Sequence, residues 1–258
     1  MTLELVEVCP ENVEPYGLCF YKDPGNEKYQ KKLEWFKNSY EEGLKYKVLF
    51  CPEKESMAGF IEYIPGEYAW RGIEAENYLI IHCLVIKKEY AGRGWGSFLL
   101  DHCINEAREQ EKIGVAAIAS KKTWCCDQRI YLKNDFFVVE QTPPGLQLVA
   151  RKIREGPDPT FGNLEEKMKP YQSGVYMFNS GQCPFMCRGE KFYRRKEELE
   201  ENFGIQAEVI ELKSAEEART NPCVWGTYGV IAGGRVINHV PGGHKGFFDK
   251  LYKLKIIE

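Results

Sequence analysis

Between residues 84 and 110 the chain reads "LVIKKEYAGRGWGSFLLDHCINEAREQ". An apolar, strand-like run gives way to Gly92, Gly94 and Gly96 at alternate positions, and an amphipathic helix starts at once. Without a Cβ, glycine lets the backbone approach a ligand closely and adopt positive φ. A helix beginning at such a turn presents unpaired N–H groups and the positive end of its dipole. The combination is an anion site suited to a phosphate or pyrophosphate, with Arg93 as a charged donor beside it. Spacing narrows the ligand. A dinucleotide fingerprint needs G-x-G-x-x-G directly after the strand, whereas this chain has G-x-G-x-G after an intervening "KKEYA". A P-loop needs Lys-Ser or Lys-Thr closing the turn, and neither is present.

Other residues could move protons or react as thiols. His82 stands in the apolar run ahead of the turn, and an imidazole titrates near neutrality. Glu62 on the preceding strand and Glu76 at the start of the long one are alternative bases. Each also has a plainer reading: a satisfied core histidine, or carboxylates on a solvated strand face. Cys83 alternates to the face opposite His82, which argues against a covalent acyl-thiol. Farther on, "FNSGQCPFMC" places Cys183 after a strand and at a helix start, where the dipole lowers a thiol pKa. Its companion is Cys187, so the motif is C-x-x-x-C, with Met186 where a resolving cysteine would sit. Cys183, Cys187, Cys223 and His239 or His244 match no standard zinc spacing, and no metal is expected.

The elements that position these groups follow from periodicity. "LELVEV" is a strand, and residues 27–43 form a helix with Tyr29, Leu33, Phe36 and Tyr40 on one face, stopping at Gly43. "YKVLFCP" and "MAGFIEYIPG" pair as a hairpin around "EKES", and a polar, aromatic insertion precedes the strand 78–86. The helix 95–111 carries Trp95, Leu99, Cys103 and Ala107 at spacings of four; "GVAAIAS" is a buried strand, "WCCDQRIYLKND" a short helix, and "FFVVEQ" and "LQLVARKI" strands around "TPPG". Residues 154–170, with three prolines and two glycines and no strand or helix periodicity, are expected to link a domain at 1–153 to another at 171–258. The second domain runs β-α-β-α-β-β-α, with a hairpin at Gly233 and Gly234.

Composition sets the outer bounds. The 258 residues are 43% hydrophobic and 28% charged, with a net charge of -3, so no nucleic-acid or anionic-membrane footprint is expected. The start "MTLELVEV" lacks the basic and apolar regions of a signal peptide, and "YLIIHCLVI" is about half a bilayer span. Ten cysteines scattered through an ordinary globular chain point to reduced thiols and a cytoplasmic location.

The segment "LVIKKEYAGRGWGSFLLDHCINEA" resembles motif A of the GNAT acetyltransferases, with the match on Ala91-Gly92-Arg93-Gly94-Trp95-Gly96. "IYLKNDFFVVEQ" resembles the family's "LYEKLGFK" element, aligning Tyr131 and Phe136 with its tyrosine and phenylalanine. Two positions depart from the pattern: Ala91 replaces the opening Arg or Gln, and Asp135 replaces the Gly before the phenylalanine. The resemblance covers roughly residues 1–153 and implies an α/β fold with a mixed sheet. It also implies acetyl-CoA as co-substrate, with Ala91 to Ser97 under the pyrophosphate and Cys83, Leu84 and Val85 along the pantetheine arm. That arm would lie between splayed strands 78–86 and 114–120. The implied reaction is direct acetyl transfer to an amine of a small molecule or peptide, with Tyr131 as general acid and His82 or Glu62 as candidate base. The second domain looks thioredoxin-like, and "NPCVWGTYGVIAGGRVINHVPGG" resembles the YoaP-like extension behind some GNAT domains. The expected assembly is a monomer or homodimer. An alternative reading is a thiol-redox or thiol-binding protein whose GNAT-like half only binds CoA.

Overall fold

The computed structural model describes residues 2–121, 127–143, 145–186, 189–239 and 243–258. It divides into one unit of Met1–Ala69 with Ile73–Thr160, and a second of Trp70–Gly72 with Phe161–Glu258. The first unit contains β1 (Glu4–Val8), α1 (Val13–Tyr16), α2 (Glu27–Glu41), β2 (Lys45–Cys51), β3 (Ser56–Pro65) and β4 (Tyr78–Ile86). After these come α3 (Trp95–Glu109), β5 (Gly114–Ser120), α4 (Gln128–Lys133), β6 (Phe137–Thr142) and β7 (Leu146–Lys152). The sheet order is β1-β2-β3-β4-β5-β7-β6. β4 and β5 run parallel, and the other neighbours are antiparallel.

The two sheet faces are covered differently. Ile61, Tyr63, Leu79, Ile81 and Ala117 pack with Leu99, Cys103 and Ala107 of α3. That face uses the spacing-of-four stripe read from the sequence. On α2, the Asn26 side chain caps the helix by accepting from the amides of Lys28 and Tyr29. The helix ends as expected, with Gly43 at φ 93° just past the C-cap. Its buried stripe differs from the expectation: it consists of Tyr29, Lys32, Trp35, Phe36 and Ser39, while Leu33 and Tyr40 are only half-buried. A lysine replaces a leucine on this face because a carboxylate waits for it, as described below.

The second unit is a smaller four-stranded sheet ordered β11-β10-β8-β9. Its elements are α5 (Leu164–Met168), β8 (Val175–Asn179), α6 (Gly189–Phe203), β9 (Ala207–Glu211), α7 (Ala215–Thr220), β10 (Tyr228–Ala232), β11 (Arg235–Asn238) and α8 (His244–Lys253). β8 and β9 are parallel across the α6 crossover, and the other pairs are antiparallel. Gly233 and Gly234, at φ 53° and 71°, form the expected tight turn between β10 and β11. The stretch 154–170 is not devoid of regular structure. It contains α5, whose N-cap Asn163 accepts from the Glu166 amide at 3.0 Å. Within this unit the Gly72 amide donates to Val224 O at 2.9 Å, and the Arg71 guanidinium lies 4.8 Å over the Trp225 ring.

Candidate active site

The glycine turn opens α3. Gly94 is its N-cap, at φ 85°, without a capping side chain, and Gly92 stands at φ 76°. A Cβ built on either would meet nothing within 4 Å, so these two glycines answer to backbone conformation and leave open space above the turn. Gly96 differs: a Cβ there would come 3.1 Å from Ile130 Cδ1, so its role is close packing. The first helical bond runs from the Phe98 amide to Gly94 O at 3.0 Å, which leaves the amides of Trp95, Gly96 and Ser97 ahead of the ladder. The first turn of α3 holds no acidic side chain, so its dipole faces the space uncompensated.

That space is a cavity of about 560 Å³. Leu84, Ile86, Ala91, Gly92, Gly94, Trp95, Gly96 and Ser97 line one side of it, and Arg129, Ile130 and Lys133 of α4 line the other. Sequence reasoning missed Arg129 and Lys133; the available signal was a pair of cations on the helix that follows β5. Arg129 is already engaged, by the carboxylate of Asp127, the α4 N-cap. Arg93 is exposed and outside the lining; Cys83 and Val85, both half-buried, are outside it too.

Beside the turn the sheet splits. β4 pairs with β5 only from Tyr78↔Gly114 to Ile81↔Ala117, although β4 continues to Ile86 and β5 to Ser120. On its other edge β4 stays paired with β3 as far as Gly59↔Ile86. Residues 83–86 are half-buried where 78–82 are buried, which marks the slot between the diverging strands.

The split begins at a β-bulge. Glu62 is opposite Cys83 and Tyr63 is opposite Ile81, so His82 is the additional residue of β4. Residues opposite one another across a ladder share a face. Cys83 therefore lies on the Glu62 face together with His82, and the expected alternation of Cys83 away from His82 does not hold. Beyond the bulge the phase is reset: Leu84 and Ile86 turn to the α3 face and the cavity, while Cys83 and Val85 turn to the α2 face.

On the α2 face the bulge meets a dry ionic cluster. Lys32 Nζ lies 2.5 Å from Glu62 Oε2, and His82 Nδ1 lies 3.4 Å from Glu62 Oε1, with all three side chains fully enclosed. The Lys32 ammonium also sits 3.9 Å over the Trp35 ring, whose centroid is 5.8 Å from that of His82. Burial pushes the Glu62 carboxyl up, but Lys32 and His82 together outweigh it and pull the pKa down to about 2. A carboxylate held that low is a poor proton acceptor at neutral pH. Sequence reasoning named Glu62 and His82 but missed Lys32, because a lysine on a helix reads as solvated.

The remaining candidates lie elsewhere. Tyr131 of α4 is 4% exposed, within the α3-side core, with its ring 5.4 Å from that of Phe136. Glu76 is exposed and precedes β4. Cys183 is half-buried and opens a turn closed by the Met186 amide on its carbonyl at 3.0 Å. It does not start a helix, since the described part of α6 begins at Gly189, and the expected dipole effect on its thiol falls away. Cys187 lies outside the described residues. Cys223 is fully buried, and burial pushes its thiol far up. Among the described residues no group of three His, Cys, Asp or Glu could hold a metal, and no helix is long and apolar enough to cross a membrane.

Residues 9–123 match the acetyltransferase (GNAT) family and residues 206–247 match the YoaP-like family. The "Uncharacterized N-acetyltransferase YoaP" of Bacillus subtilis (strain 168) is 30% identical over 243 residues, covering 91% of this chain and 92% of that protein. Among solved structures, a GNAT-family acetyltransferase from Staphylococcus aureus Mu50 is similar at 17% identity and TM-score 0.44, over 59% of this chain and 100% of that one. PaiA N-acetyltransferase from Thermoplasma acidophilum, in complex with coenzyme A, is similar at 17% identity and TM-score 0.37, over 59% and 99%. Identity across nine-tenths of both chains decides the assignment: the chain belongs to the GNAT acetyltransferase family, an acyltransferase with a YoaP-like region toward its C-terminal end.

Proposed function

We propose that the enzyme transfers the acetyl group of acetyl-CoA directly to an amine of a small-molecule or peptide acceptor. The observation that carries this reading is the junction of the glycine turn with the β4–β5 slot. A helix start suited to an anion, with open, positive-φ glycines, follows the strand whose pairing with β5 stops at Ile81↔Ala117. A pyrophosphate fits the turn, with Lys133 and Arg129 as flanking cations. An amide-bearing arm fits the slot, where the Leu84–Ile86 backbone supplies hydrogen bonds and an amide donor for a developing oxyanion.

His82, on the β4 bulge where pairing with β5 ends, receives the proton of the acceptor amine. Glu62 orients that ring; its low pKa supports a positioning part rather than that of the base. Tyr131 protonates the departing CoA thiolate, supported by its place on α4 next to Ile130, which lines the cavity, although Tyr131 itself packs in the core. The second unit is thioredoxin-like in strand order and serves as an accessory to acceptor binding. With Cys223 buried and Cys183 away from a helix start, a dithiol reaction has less support than this accessory part. The ten cysteines scattered through an ordinary globular chain support a cytoplasmic setting.

Thermal unfolding with and without acetyl-CoA tests the reading. The wild-type chain should gain ~3 kcal/mol at about 100 times the dissociation constant. Gly94→Val, which puts a branched side chain at φ 85° above the turn, should abolish the gain. A gain kept by Gly94→Val would remove acetyl-CoA from this site. Screening amines by CoA release then identifies the acceptor.

A further inference from the structure

We infer that Lys32 is a positioning residue for the transfer: its ammonium neutralises the Glu62 carboxylate that faces His82, and so keeps His82 in the neutral, proton-accepting form. The functional use of this device rests on the proposal that His82 receives the proton; the electrostatic claim does not.

Lys32 occupies the buried stripe of α2, where Leu or Met would pack at no electrostatic cost. A lysine in that place needs a partner, and its partner is shared. Glu62 presents one oxygen to Lys32 at 2.5 Å and the other to His82 Nδ1 at 3.4 Å. Titratable groups on this face of the sheet include Lys32 from α2, Glu62 from β3, Tyr46 from β2, Cys19 beside Tyr46, and Cys83 next to His82 on β4. Tyr46 contributes no charge: it is fully buried, burial drives its pKa well up, and its hydroxyl oxygen accepts from the Cys19 amide at 2.8 Å.

The charge count decides the state of the imidazole. With Lys32 and Glu62 both ionised the enclosed site sums to zero, and a protonated His82 would add an uncompensated charge in a dry environment. Without Lys32, the carboxylate would need His82 itself as counter-ion, and an imidazolium cannot accept the proton of an acceptor amine. Lys32 therefore takes the counter-ion duty and leaves His82 available.

The test is a titration of the histidine side chains in the full-length protein by NMR, with the His82 signal assigned by its loss in His82→Gln. Lys32→Met should raise the His82 midpoint by about one pH unit or more, and Lys32→Arg should restore it. His244, paired with Glu198 in the second unit, should not move. Should Lys32→Met fail to fold, Lys32→Gln, which leaves a polar group beside the Glu62 carboxylate without the charge, should raise the midpoint likewise. A midpoint unmoved by loss of Lys32 in the folded variants would overturn the inference. Transfer that survives His82→Gln would instead overturn the role of His82 as proton acceptor, and would leave the midpoint result standing.

Discussion

Glu62 and Cys83 stand opposite each other across β3 and β4, yet the next residue of β3, Tyr63, stands opposite Ile81. The skipped residue is His82. One additional residue thus has two effects. It turns the imidazole into a closed ionic cluster under α2, and it turns Leu84 and Ile86 toward the cavity at the α3 N-terminus.

Replacing His82 by Gln should leave the thermal shift with acetyl-CoA intact. Turnover with the acceptor should fall by roughly 10²–10⁴, and the acidic limb of the pH–rate profile should disappear. An unaltered acidic limb would assign it to another group.

Tyr131→Phe removes one hydroxyl and keeps the ring that packs on Phe136, so affinity for acetyl-CoA should be kept. Turnover should drop by roughly 10²–10⁴ if the hydroxyl protonates the leaving thiolate. Equal rates under conditions where chemistry limits turnover would end that assignment.

Glu62 makes stability depend on pH. Its folded pKa of about 2 lies below the ordinary value of 4.5, so its contribution is fully present above pH 4.5. The contribution, on the order of a few kcal/mol, is lost as the pH falls from about 4.5 toward 2. Urea denaturation at a series of pH values should therefore show a steeper acid loss for wild type than for Glu62→Gln. Parallel curves would contradict the depressed pKa.

Cys183→Ser should leave acetyl transfer to a small generic amine nearly unchanged, because the thiol opens a turn and Cys223 is fully buried in the same unit. Loss of activity on every acceptor would show that this thiol takes part in the chemistry.

What the sequence discloses depends on how local the cause is. The glycine turn and α3 are legible because φ > 0, the helix start and the spacing-of-four stripe are written within 20 or so consecutive residues. The β-bulge is not. "YLIIHCLVI" is apolar throughout, so no alternation exists whose break would reveal the additional residue. Lys32 is concealed for a related reason: its burial depends on Glu62, 30 positions away, and charge on a helix otherwise means solvent. Trp70 and Arg71 lie in the polar, aromatic insertion ahead of β4, yet they are buried and belong to the second unit, whose other residues begin at Phe161. No periodicity within residues 65–76 encodes that membership.

The four residue pairs from Tyr78↔Gly114 to Ile81↔Ala117 are the whole β-ladder joining strands β1–β4 to strands β5–β7. Mechanically, the larger sheet is two stiff plates held along a short seam, with α3 packed across both. Local opening should therefore run along this line first, and amide exchange should divide the unit into two cooperative blocks. A ligand arm lying in the slot would extend the seam to the ends of both strands. Exchange protection on both plates should then rise together on adding acetyl-CoA, including at β1 and β6, the strands farthest from the slot, so that the substrate acts as a rivet as well as a reactant.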